Sequence, residues 1–257
     1  MEYLLLGLGG LTAGALGGLL GIGGGILIMP LLRFVWGMEP AYAAGTCIVA
    51  VFFTTLGGSL RHYRLGHINF SALWPVILAG LLSTIIFSLA FSLASKKGYW
   101  LDIMTGSVFC LVALRMLFEG VADQRGSLSE STRLGQGLKG SLLAKLGLGA
   151  VGGALPGLLG IGTGAVLVPG FALALNAPIK IAIGSSLACF SLNALVSGVF
   201  KASQGYVVLW LLPSLCVGTF LGSQIGAWLN GRFSAPWLKI LFGALFLFVA
   251  FKYIVLL

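Results

Sequence analysis

The chain has 257 residues, 58% of them hydrophobic and 8% charged. That leaves too little polar surface to cover a water-soluble globule, so the sequence reads as an integral membrane protein. Its net charge of +9 is scattered over connections and span ends, which fits positive-inside topology facing anionic headgroups and not a nucleic-acid-binding patch. Apolar runs such as 78–94 and 240–250 lack the alternation of a membrane barrel, so the expected fold is all-α.

Met1-Glu2-Tyr3 carries no basic stretch of the kind that opens a secretory signal, and the first apolar run, Tyr3 to Leu20, is expected to remain as a span. It runs into Gly18-Leu19-Leu20-Gly21-Ile22-Gly23-Gly24-Gly25, with Pro30 beyond. The next apolar segment, Ile26 to Trp36, would rise only ~16 Å as a helix, about half the hydrocarbon thickness. Spans are predicted near Ala41–Leu60, Phe70–Ala94 and Tyr99–Phe118. A stretch rich in Gly, Ser and charge, including Asp123-Gln124-Arg125-Gly126-Ser127, follows as a solvated linker.

The order then repeats. Ser141–Leu159 leads into Gly157-Leu158-Leu159-Gly160-Ile161-Gly162-Thr163-Gly164, with Pro169 beyond, then the short Ala165–Leu175, then spans at Ile179–Phe200, Val207–Leu229 and Ala235–Leu257. The register pairs Gly45-Thr46 with Gly184-Ser185, Gly66 with Gly205 and, after a one-residue slip, Trp74-Pro75 with Leu212-Pro213. The expected organisation is therefore a membrane repeat at 1–118, a linker at 119–140 and a second repeat at 141–257.

If each short segment returns across the membrane, a repeat has five elements and its copy is inverted; if not, four elements make the copies parallel. The inverted reading is preferred because it gathers Arg61, Arg64, Arg125, Arg133, Lys139, Lys180 and Arg232 on the linker side, with Arg33, Lys96, Lys97 and Lys201 opposite.

The chemistry on offer is sparse. Glu2, Glu39, Asp102, Glu119, Asp123 and Glu130 all fall at span ends or in connections, which disfavours a carboxylate-coupled cation site and points to an anion. No Ser-His pair or paired carboxylates lie within the spans, so an enzyme is not expected. Cys47, Cys110, Cys189 and Cys216 form no C-x-x-C and have no histidine at metal spacing, so neither a metal nor a cofactor is expected.

An anion site needs no side-chain charge where backbone N–H groups at a half-helix N-terminus point at the ligand. Gly23, Gly24 and Gly25 open one such half-helix and Gly162, Thr163 and Gly164 the other. A chain broken inside the membrane leaves peptide groups that only a cavity or protein can satisfy. Gly9, Gly10, Gly14, Gly17, Gly80, Gly218, Gly222 and Gly226 are assigned to close helix packing. Thr46, Cys47, Ser185, Ser186 and Asn193 are further candidates for lining the site, their plainer role being bonds to nearby carbonyls. His62, beside Arg64 and His67 in an interfacial stretch, is a candidate for proton handling. Lys201, its repeat partner, is a candidate for drawing anions to a cavity mouth.

These residues resemble the sulfite exporter TauE/SafE family, also called the toluenesulfonate uptake permease group. The resemblance rests on the duplicated glycine motif at Gly18–Pro30 and Gly157–Pro169, the stations Gly45–Cys47 and Gly184–Ser186, and Gly66 and Gly205 before the following spans. Cys47, Thr163 and Pro156 depart from the family pattern. The resemblance implies a polytopic transporter, with export expected, of sulfur oxyanions or organosulfonates in a bacterial-type cytoplasmic membrane. Its partners would be that small anion and the lipid bilayer. An anion channel, or a carrier of another small organic anion, is the alternative.

Overall fold

In lipid no helix has to turn one face from water, so helices here are apolar on all sides and neighbours are chosen by how closely backbones can approach. The structure, a computed structural model, describes residues 2–68, 70–96, 98–124, 140–229 and 235–255. Among the described residues there is no strand. The helices are α1 (Glu2–Leu20), α2 (Gly25–Pro30), α3 (Pro40–Arg64), α4 (Phe70–Ala94), α5 (Gly98–Gln124), α6 (Leu142–Leu159), α7 (Gly164–Ala174), α8 (Ile179–Ser203), α9 (Leu212–Leu229) and α10 (Ala235–Val255). Six of them, α3, α4, α5, α6, α8 and α9, are long and apolar enough to cross a membrane.

Several boundaries differ from the sequence expectation. α3 runs past Leu60 to Arg64, because Arg61, His62 and Arg64 sit in its last turn, where basic groups oppose the negative helix end. α5 continues through Glu119 to Gln124, so the expected linker loses its first residues to a helix; 125–139 lie outside the described residues. Val207 is not helical: a 3-10 turn at Leu209–Leu211 precedes α9, and Pro213 occupies its first turn, where a missing N–H costs nothing. Pro169 lies within α7 and does not end it. Pro30 instead gives way to a π-helical turn at Leu31–Val35, closed by Trp36 N–H donating to the Leu31 carbonyl.

Three helix pairs form the frame: α1 with α9, α4 with α6, and α5 with α10. α1 and α9 run parallel, Gly218 against Gly7, Gly222 against Leu11 and Gly226 against Ala15. α4 and α6 also run parallel, Gly149 against Val76, Gly153 against Gly80 and Gly157 against Thr84. A Cβ on any of these six glycines would enter neighbouring backbone, so these are packing glycines. Gly10 and Gly14 serve the same purpose, but Gly17 corrects the expectation: it lies against Gly23 and Gly24, the break of its own chain segment. α5 and α10 are antiparallel, with Leu117 against Gly243 and Phe109 against Tyr253, ring centroids 5.6 Å apart.

The centre is made by α3 and α8, the most buried of the six long helices. They are antiparallel. At one end Gly45 lies against Tyr206, and the Thr46 hydroxyl accepts a hydrogen bond from the Val208 N–H at 3.0 Å. At the other end Gly184 lies against His62 and His67. α2 with its π turn is pinned from outside: Arg33 makes a two-point ion pair with the buried Asp102 of α5, Nη2–Oδ2 2.8 Å and Nε–Oδ1 3.2 Å, and also donates to the Met38 carbonyl.

Candidate functional site

α1 stops at Leu20 and α2 starts at Gly25; α6 stops at Leu159 and α7 starts at Gly164. Gly21, Gly23 and Gly24 have φ of 73°, 84° and 72°, a region where a Cβ is strained. The chain therefore reverses at the first break instead of continuing α1. Gly160 does the same at the end of α6 with φ 68°.

The two breaks meet in the interior. A Cβ on Gly25 would stand 2.6 Å from the Gly162 nitrogen, and one on Gly164 would enter the backbone of Gly21 and Ile22. Such backbone-to-backbone contact is open only to glycine. Thr163, at the N-terminal end of α7, is fully buried, its side chain makes no cap, and its Oγ1 has no hydrogen-bond partner. Cys47 Sγ donates to the Gly25 carbonyl at 3.6 Å, and Ser186 Oγ donates to the Gly21 carbonyl at 3.2 Å. Gly23, Gly24, Gly25, Gly162, Thr163, Gly164, Cys47 and Ser186 thus form one constellation of polar backbone and small side chains. A cavity of only about 10 Å³ lies beside the first break, bordered by Gly17, Gly24 and Phe246. That volume holds about one water molecule, too little for any larger solute.

The remaining candidates lie elsewhere. Thr46 holds the loop at Val208, and Asn193 Nδ2 donates to the Gly152 carbonyl at 3.4 Å, bridging α8 and α6. Ser185 is buried with no partner for its hydroxyl, between Gly184 at the histidine end and Ser186 at the break.

Lys201 is not at a cavity mouth but fully buried. Its Nζ donates to the carbonyls of Pro156 at 3.0 Å and Gly157 at 2.6 Å and to Ser197 Oγ at 2.9 Å, and lies 4.3 Å from the centroid of the Phe91 ring. The carbonyls in the last turn of α6 have no helical partner, so Lys201 caps that helix end, just ahead of the second break. His62 is likewise buried and not solvated as expected, its Nδ1 3.1 Å from His67 Nδ1.

A second, larger cavity was not legible in the sequence. It measures about 290 Å³ and is lined by Arg61, His62, Leu65, His67, Lys180, Ala227 and Trp228. The basic cluster at 61–67 was a visible signal, but nothing local joins it to Lys180; only the antiparallel crossing of α3 and α8 does.

Comparison with known proteins agrees with this architecture. The family described as "Sulfite exporter TauE/SafE" matches residues 6–253. A protein of Xylella fastidiosa named "Probable membrane transporter protein" is 34% identical over 231 residues, covering 90% of this chain and 85% of its own. "Probable membrane transporter protein YunE" of Bacillus subtilis is 26% identical over 254 residues, covering 90% of each chain. The Arabidopsis thaliana "Sulfite exporter TauE/SafE family protein 1" is 40% identical over a 76-residue stretch that is 29% of this chain and 17% of its own. No solved structure matches. A chain without strands among its described residues, with six helices long and apolar enough to cross a membrane and matched along almost its whole length, is a membrane transporter, and it belongs to the sulfite exporter TauE/SafE family.

Proposed function

We propose that this chain exports a small sulfur-containing anion, sulfite or an organosulfonate, across a bacterial-type cytoplasmic membrane by alternating access around the paired glycine breaks. The observation that carries this reading is the buried, unpartnered Thr163 hydroxyl at the start of the 11-residue α7, between Gly162 and Gly164, whose backbones meet the other break. A hydroxyl and backbone N–H groups at a helix N-terminus are donors for an oxyanion, and a buried donor without an acceptor is costly. The sulfur chemistry comes from the family description and from the family name carried by the Arabidopsis relative; the Xylella and Bacillus relatives are named only as probable membrane transporters.

The mechanism assigns the two halves as inverted repeats. α3 and α8, which correspond in the repeat, are antiparallel, as are α5 and α10. In this reading the second break is entered from the linker side, by α6, and the first from the opposite side, by α1, so both half-helices present N-terminal ends at the middle of the protein. Parting the breaks toward one side or the other exposes the anion alternately.

Proteoliposome counterflow with sulfite, thiosulfate, sulfate, sulfoacetate, taurine and acetate tests the substrate class. Saturable exchange of the sulfur anions is expected; flux without saturation or counterflow would make it a channel, and a response only to cations or neutral solutes would overturn the reading. Single cysteines at the exposed positions 64, 180 and 203, in a background without the four native cysteines, test the repeat geometry. Positions 64 and 180 should be labelled from one side of the membrane and 203 from the other. Labelling of 64 and 203 from one side with 180 opposite would establish the parallel arrangement.

A further inference from the structure

We propose that the cavity between the C-terminal end of α3, the start of α8 and the end of α9 binds an oxyanion, either a free sulfate-type anion or the phosphate of a lipid headgroup. As a station for transported anion it rests on the reading above; as a binding site it stands separately.

The cavity is about 290 Å³, lined by Arg61, His62, His67 and Lys180, with Leu65, Ala227 and Trp228 as its apolar walls, and among the described residues no carboxylate lines it. Basic groups gathered in a low-dielectric recess repel one another and concentrate anions. Arg61 Nε is buried without a hydrogen-bond partner. His62 is buried in the cavity wall, with the Gly18 backbone and His67 as its neighbours. A buried group without a partner is costly, and charge-assisted bonds to an oxyanion are among the strongest that could satisfy one. Lys180 stands in the first turn of the 25-residue α8, whose positive end adds to the same field.

The histidine pair ties occupancy to pH. His62 Nδ1 and His67 Nδ1 are 3.1 Å apart, so one donates and the other accepts; protonating both rings would set two N–H groups against each other. His67 is held less basic than an ordinary histidine, by burial first and by Lys180 second. The charged groups facing the pair are Arg61 from α3 and Lys180 from α8; α9 offers only Ala227 and Trp228. An anion in the cavity offsets the repulsion from Lys180, so anion and proton favour each other's binding. Affinity therefore rises as pH falls.

Sulfate, whose charge does not change between pH 6 and 8, is the probe, titrated calorimetrically into the purified chain in phosphatidylcholine nanodiscs. Binding should tighten from pH 8 to pH 6, and Lys180→Gln should weaken it roughly tenfold or more. Lys180 is exposed, so that variant keeps its fold. His67→Gln should weaken binding at pH 6 towards the wild-type value at pH 8 and flatten its pH dependence. In phosphatidylglycerol nanodiscs, weaker sulfate binding together with lipid enrichment that depends on Lys180 identifies the headgroup as an occupant of the same site. The proposal is overturned if sulfate does not bind in phosphatidylcholine and Lys180→Gln leaves phosphatidylglycerol enrichment unchanged, or if sulfate binds equally to wild type and Lys180→Gln. Lys180-dependent sulfate binding with no counterflow of sulfur anions would leave this site standing and remove the transport reading; counterflow with binding indifferent to Lys180 would do the reverse.

Discussion

Gly164→Ala is expected to abolish transport at the level of the single folded molecule. The added Cβ would meet the Ile22 Cα at 2.5 Å and the Gly21 carbonyl carbon at 2.7 Å. Both are backbone atoms, which cannot swing aside as a side-chain tip can, so the breaks themselves must separate. An ångström of misplacement in a preformed site costs on the order of 100-fold in rate, and that is the loss expected in uptake per folded protein, with folded protein counted by size-exclusion chromatography. Gly147→Ala is the control: nothing lies within 4 Å of a Cβ there, and alanine is favoured over glycine in a helix by about 1 kcal/mol. It should transport as wild type with equal or higher thermal stability. If activity in Gly164→Ala falls only as far as the amount of folded protein falls, the breaks pack the fold and do not line a ligand.

Lys201→Met and Lys201→Gln are both expected to fold and both to lose transport. Burying an ammonium costs several kcal/mol, and the hydrogen bonds that offset it are worth about 1.5–3 kcal/mol each. The pairing is with two carbonyls and a hydroxyl, not with a carboxylate. Removing the charge therefore relieves a cost as well as losing bonds. The Pro156 carbonyl also keeps Ser197 at 2.7 Å and the Gly160 N–H at 3.2 Å, so only Gly157 loses its side-chain partner. Stability should change little. Transport should fall sharply, because Lys201 holds the end of α6 just ahead of the second break, and removing a basic group there weakens the attraction for an anion. Glutamine keeps a donor for the Gly157 carbonyl without the charge, so wild-type transport by Lys201→Gln would show that Lys201 caps a helix and does nothing for the anion. The measurement is sulfite counterflow normalised to folded protein, alongside thermal melts.

The sequence by itself determined the membrane class, because 58% hydrophobic residues cannot be reconciled with a water-facing surface. It also determined where helices stop inside the apolar runs. A cluster of glycines removes the side chains that hold a helix in register and admits positive φ, and the structure reverses at Gly21, Gly23, Gly24 and Gly160.

Partners across the bundle were decided only by the tertiary structure. Helices that are apolar all round carry no stripe to say which face packs inward, so the sequence could not show that Gly17 meets its own break while Gly14 meets α9, or that Asn193 reaches Gly152 and not the site. For the same reason the basic residues looked interfacial: Lys201 and His62 lie near helix ends, where a charged side chain ordinarily snorkels to water. The antiparallel crossing of α3 and α8 instead turns Lys201 onto the end of α6 and brings Lys180 to Arg61 and His67. Backbone conformation is written locally, in residues that lack or crowd a Cβ; which charge is buried against which carbonyl depends on segments distant in the chain and on the packing that joins them.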